Sequence, residues 1–77
     1  MNIALLRPRP SAALAFRRDR QRFVPALPGC YALSNFAKEV IYVGLARDLR
    51  RRFGQHLDDP GKTAVTAIGK ATLFHWM

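Results

Sequence analysis

After Pro28 the spacing of apolar residues changes three times along this chain. Gly29 to Leu33 (GCYAL) is a short apolar run, Ser34 to Glu39 (SNFAKE) is polar and turn-like, and Val40 to Leu45 (VIYVGL) is rich in β-branched and aromatic residues. The pattern predicts a β-hairpin. In its second strand Val40, Tyr42 and Gly44 share one face while Ile41, Val43 and Leu45 share the other. Both faces are apolar, which predicts a strand covered on both sides. The period then lengthens. Across Ala46 to Leu57 (ARDLRRRFGQHL), Leu49, Phe53 and Leu57 recur at the i, i+4 and i+8 positions of a helix that must lay this stripe on the sheet. Asp48 suits the N-cap and Asp58-Asp59-Pro60-Gly61 is a stop. Arg52 and His56 lie beside the stripe, Arg51 points away from the core, and Arg50 and Gly54 occupy the opposite flank. Lys62 to Lys70 reads equally as a short helix or a loop. Ala71 to Met77 (ATLFHWM) alternates as a third strand, with Thr72, Phe74 and Trp76 on one face. Nothing after it covers Phe74, Trp76 and Met77, so apolar surface is expected to stay open there. The fold class is α+β: a small antiparallel three-stranded sheet flanked by helices and incomplete at its C-terminus.

Residues 1 to 27 have a different texture. They hold six arginines and one aspartate, interrupted by Pro8, Pro10 and Pro25. We read them as a basic N-terminal arm, separate from a domain over 28 to 77, with room for one short helix around Ser11 to Phe23 capped by Ser11. The plain reading is a solvated arm; the sharper one is an arm that touches a phosphate backbone. Composition narrows the function. Thirteen Lys and Arg against five Asp and Glu give a net charge of +8, and most of the basic residues are arginine. The planar guanidinium matches phosphate geometry, which points to nucleic acid before an anionic membrane. Cys30 is the single cysteine. It has no partner for an internal disulfide or a zinc ribbon, and it fits a reducing, cytoplasmic setting. No run approaches the roughly 20 apolar residues that span a bilayer, so no membrane partner is expected.

The order is therefore hairpin, arginine-bearing helix, connector, strand, and at this point the residues resemble a known family. Gly29-Cys30-Tyr31 stands where GIY-YIG nucleases carry their first triplet, and Tyr42-Val43-Gly44 where they carry the second. The stretch from Asp48 to His56 resembles the helix that follows, in which an arginine and a histidine four residues later face the active site. The resemblance implies a metal-dependent endonuclease that hydrolyses DNA phosphodiesters. It casts Tyr31 as base or water-positioner, Tyr42 as a group orienting the nucleophile or touching phosphate, Arg52 as the cation on the scissile phosphate, and His56 as a proton relay or a holder of Tyr31. Gly29 and Gly44 fit as points of close backbone approach. Arg47, Arg50 and Arg51 would attract the DNA backbone without sequence preference. Such hydrolysis needs a nucleophilic water, a base and a cation for the developing phosphoryl charge, which is why these residue types belong together.

Each residue also has an ordinary explanation. Tyr31 and Tyr42 suit any half-buried strand, His56 suits a helix end, Arg50 and Arg51 suit a solvated face, and His75 reads as structural. Asp58 and Asp59 read as solvated turn residues, not metal ligands. The resemblance further implies one divalent ion, Mg2+ or Mn2+, held by a glutamate on a helix after the third strand. Glu39 is the only glutamate and sits in the hairpin turn. Weak DNA binding and poor cleavage are therefore expected, from a fragment or a degenerate descendant. The alternative is a catalytically dead basic nucleic-acid-binding module; a weaker third is a basic protein packed on a larger assembly.

Overall fold

A computed structural model describes residues 1–7 and 9–77; Pro8, one of the prolines that punctuate the arm, lies outside the described residues. The hairpin forms as the sequence requires. Labelled in chain order, the strands are β1 (Ala12–Ala15), β2 (Gly29–Ser34), β3 (Val40–Ala46) and β4 (Leu73–Trp76), and the helices are α1 (Leu49–Leu57) and α2 (Pro60–Thr63). In the β2–β3 hairpin Tyr31 stands opposite Gly44 and Leu33 opposite Tyr42, with a shift of register between Leu33 and Ser34. The turn closes through Asn35, whose Oδ1 accepts from the Glu39 amide at 2.9 Å. Lys38 there takes a left-handed conformation, φ 66°.

Helix α1 begins where Asp48 Oδ1 accepts from the Arg51 amide at 3.1 Å. Leu49 and Phe53 are buried and Leu57 half-buried, so the apolar stripe faces the sheet as its spacing predicts. Phe53 packs between Phe16 and Phe74, with ring centroids 5.3 and 4.9 Å away. Tyr31 stacks on Phe74 at 5.3 Å. Burying each such ring is worth about 1.5–3 kcal/mol, which makes this aromatic group the main source of cohesion between helix and sheet. Of the two options for residues 62 to 70, both are used: α2 takes Lys62 and Thr63, and a turn joining Thr66 to Gly69 follows.

Three expectations are corrected. The sheet has four strands, not three, in the order β1-β4-β2-β3 with every pairing antiparallel. The added strand comes from the supposed arm: Ala12 to Ala15 pairs with β4 and satisfies an edge that would otherwise be open. The helix expected around Ser11 to Phe23 is replaced by this strand and a 3-10 helix over Arg18–Phe23. Residues Phe16 and Val24 from the same stretch are buried in the core, so it is no detached arm. Gln21 donates to the Arg50 carbonyl at 3.0 Å and Arg50 Nε to the Val24 carbonyl at 2.7 Å. Gly54 permits this approach, because a Cβ there would lie 2.3 Å from Gln21 Nε2.

The second correction concerns β4, whose Phe74 is fully buried and whose Trp76 and Met77 are half-buried. β1 and Phe16 supply the cover that the expected three-stranded sheet lacked. The third concerns β3. Val43 and Leu45 are 48% and 73% exposed, so the face away from α1 is open over the second half of that strand, while Ile41 packs against the core. On the reverse face the chain's first residues cross near the hairpin turn, where the Ile3 amide donates to the Lys38 carbonyl at 2.8 Å and the Val40 amide to the Met1 carbonyl at 2.7 Å. They leave Val43 and Leu45 open.

Candidate active site

Alternation along the hairpin puts Tyr31 and Tyr42 on the same face of the sheet, the one α1 covers. Their ring centroids are 6.1 Å apart. Gly44 stands opposite Tyr31 in the ladder, and a Cβ on it would fall 2.5 Å from Tyr31 Oη. The missing side chain is what lets the phenol lie across β3. Gly29 has a humbler role: a Cβ there would meet the Met77 carbonyl at 2.9 Å and Leu49 at 3.1 Å, so it permits close packing at the start of the hairpin.

From above, the last turn of α1 lowers His56 onto the two phenols. Tyr31 Oη and His56 Nε2 are 2.5 Å apart, and the imidazole meets the Tyr42 ring edge-on with centroids 5.4 Å apart. Tyr31 is fully buried and His56 7% exposed. Burial raises the Tyr31 phenol above its ordinary value of 10.0, while the donors and charge of nearby Arg52 draw it back down. Burial also lowers His56 below its ordinary 6.5, helped by the positive charges of Lys62 and then Arg52 and opposed by Asp59. Both directions agree at neutral pH. The phenol keeps its proton and donates it to the lone pair of a neutral imidazole at Nε2.

Arg52 sits one turn before His56, half-buried, with Nε donating to Gln55 Oε1 at 3.0 Å and Nη1 to the Leu45 carbonyl at 3.3 Å. These bonds aim the guanidinium along the end of β3. It lines a groove of about 430 Å3 together with Leu45, Ala46, Arg47, Arg51 and Gln55. Among the described residues none of Arg47, Arg51, Arg52 and Lys62 forms an ion pair. The structure thus brings Tyr31, Tyr42, Arg52 and His56 together and sets Arg47 and Arg51 on the adjoining groove. Arg50 is not among them. It holds the N-terminal segment against α1 instead.

Sequence reading missed Lys62, whose Nζ lies 3.8 Å from the centroid of the Tyr42 ring. Its signal was present in the Asp-Asp-Pro-Gly-Lys run, where Asp59 caps α2, Pro60 opens it and the lysine follows within the first turn. His75 is structural as expected, 4% exposed with Nε2 2.8 Å from Ser34 Oγ. Asp58 contacts Arg18 and Asp59 caps α2, so both are turn and capping residues. Among the described residues no three His, Cys, Asp or Glu side chains come together as metal ligands. Glu39 lies in the hairpin turn, 3.1 Å from the chain's first amino group. The described side chains offer no set that fits a divalent-ion site. No helix among the described residues is long and apolar enough to cross a membrane.

A cluster of two hairpin phenols, a helix arginine and a helix histidine on an α+β scaffold defines the class. The family model described as the GIY-YIG catalytic domain matches residues 27–76, and the chain belongs to that family. Its similar curated relatives share one name. It is 50% identical over 44 residues to UvrABC system protein C of Finegoldia magna, covering 57% of this chain and 7% of the relative. It is likewise 50% identical over 46 residues to that of Chlorobaculum tepidum (54% and 7%) and 42% identical over 54 residues to that of Levilactobacillus brevis (68% and 9%). The chain thus spans less than a tenth of the length of these relatives. No solved structure matches.

Proposed function

We propose that this site hydrolyses phosphodiester bonds in DNA. The observation that carries the reading is the buried Tyr31–His56 hydrogen bond at 2.5 Å with the unpaired Arg52 beside it. Two hydrogen-bonded groups that can pass a proton, next to a free guanidinium, are what attack of water on a phosphate requires. The backbone would enter along the groove of Arg47 and Arg51. Arg52 would bind the scissile phosphate with its remaining donors, and Tyr42, half-buried at the mouth, would orient it through its hydroxyl.

The proton path follows from the titration. A protonated Tyr31 cannot act as a phenolate base, but it can act as a relay. Water gives its proton to Tyr31 Oη as the phenol's own proton moves to His56 Nε2; the resulting hydroxide adds to phosphorus, the bond to the ester oxygen breaks, and that oxygen takes a proton from solvent water. The imidazolium returns its extra proton to solvent before the next turnover. The phenol is neutral before and after. A divalent ion, magnesium or manganese, belongs to the proposal through the family alone. Cytoplasm is the compartment we propose, in keeping with the free thiol of Cys30. The relatives' shared name makes a UvrABC-type system the assembly in which to look for the chain's role.

Supercoiled plasmid incubated with the chain and Mg2+ tests this. Slow nicking is expected, abolished by Arg52→Ala with most DNA binding retained. Binding without any magnesium-dependent nicking, weakened evenly by each arginine substitution, would instead favour a binding-only module.

A further inference from the structure

We infer that Lys62 is a second phosphate-binding cation of this site, acting across the phenol pair from Arg52 and positioning Tyr42. This rests on the phosphodiester reading above. Its foundation is the local build of α2. Pro60 fixes the first turn, the Gly61 amide donates to Asp59 Oδ1 at 2.9 Å, and the Lys62 and Thr63 amides donate to the Asp59 carbonyl at 3.0 and 3.2 Å. Only Asp58 and Asp59 separate this turn from α1. α2 is therefore folded back over the end of α1, above His56 and Tyr42.

A solvated lysine would extend into water. Lys62 is half-buried, and its ammonium lies on the face of Tyr42. The nearest candidates for a counter-charge are otherwise engaged: Asp58 meets Arg18, and Asp59 spends its carboxylate on the cap. The ring face takes up one side of the ammonium and leaves N–H donors for an anion. Arg52 likewise forms no ion pair; Nε and Nη1 make one contact each, and its guanidinium also acts on the Tyr31 hydroxyl.

Both cations act on the same imidazole, where Lys62 has the larger effect of the two. The groups facing His56 are then Tyr31, Tyr42, Arg52, Lys62 and Asp59. The two phenols are neutral, Asp59 is an anion engaged in its cap, and Arg52 and Lys62 are cations without an ion pair among the described residues. An excess of positive charge around uncharged hydrogen-bonding groups is a site for a dianionic or monoanionic oxyanion, and a phosphate is the one the reaction supplies. Lys62 is a positioning residue for Tyr42 through the cation–π contact and a ligand for the phosphate through its free donors.

The test compares the parent with Lys62→Met, Lys62→Arg and Lys62→Gln. The primary readouts are the affinity for inorganic phosphate and the titration of His56, both followed by NMR and neither dependent on cleavage. Phosphate should shift the Tyr42 and Arg52 signals in the parent. Lys62→Met and Lys62→Gln should each weaken that binding by about tenfold, the scale of one charge-assisted contact, while Lys62→Arg keeps most of it. The His56 midpoint should rise in the Met and Gln variants and stay near the parent's in Lys62→Arg. Unchanged phosphate affinity and an unmoved His56 midpoint would overturn the inference, as would a parent that binds no phosphate. Absence of nicking with phosphate binding intact would count against the nuclease reading and leave the role of Lys62 in anion binding standing.

Discussion

The sheet carries one buried histidine bonded to a hydroxyl on each face. Toward α1, His56 Nε2 meets Tyr31 Oη at 2.5 Å; on the reverse face, His75 Nε2 meets Ser34 Oγ at 2.8 Å. In both, burial is the first cause that lowers the imidazole below 6.5. The pairs differ in what surrounds them. His56 has Tyr42, Arg52 and Lys62 within reach, and Arg52 also lines the groove that holds Arg47 and Arg51. His75 stands opposite Ala13 and Ala32 in the ladders and feels only Lys38 among charges; Ser34 also donates to the Asn35 carbonyl at 3.1 Å. A histidine–hydroxyl pair is thus by itself a way of satisfying buried polar atoms. It becomes a candidate for proton transfer when unpaired cations stand beside it to hold the group that will lose or gain charge.

Replacing each histidine with glutamine breaks the comparison most sharply. Both variants should lose stability in urea melts, by about 1–3 kcal/mol where a buried partner is left unmade. Only His56→Gln should also lose magnesium-dependent nicking, by about 10²–10⁴-fold, the usual contribution of general acid–base catalysis. A smaller effect is expected from Gly44→Ala. Its Cβ cannot coexist with Tyr31 Oη, so the phenol must move off His56, and a displacement of this kind costs about 10²-fold in rate and about 1–3 kcal/mol in stability. Smallest is the response to acid. With both folded-state values below 6.5, the unfolded chain takes up protons first, so stability is full above about pH 6.5 and falls as the pH drops from there through the folded values. Melts from pH 8 to 5 should show this decline, and the double His→Gln variant should flatten it.

Much of the site was legible because its signals are local. Tyr31, Tyr42 and Gly44 stand in fixed ladder positions of one hairpin, and Arg52 and His56 lie one helical turn apart beside a stripe that has to face the sheet. What stayed hidden depends on tertiary contacts. The run Ala12–Ala15 has neither β-branching nor alternation to mark a strand, and it becomes one only by pairing with β4. Gly54 reads as a weak point in a helix until Gln21 is seen against it. The apolar residues on both faces of β3 predict cover on both, yet an apolar side chain does not summon a partner, and Val43 and Leu45 stay exposed. Arg50 reads as part of a solvated, phosphate-attracting face, whereas its bond to the Val24 carbonyl depends on where the N-terminal segment docks.

Side-by-side nicking of supercoiled DNA with Mg2+ by the parent, Tyr31→Phe and Ser34→Ala is the most direct measurement. The parent and Ser34→Ala should nick at similar rates, and Tyr31→Phe should not nick. Equal loss in both variants, or full activity without the Tyr31 hydroxyl, would contradict the assignment of chemistry to the helix face.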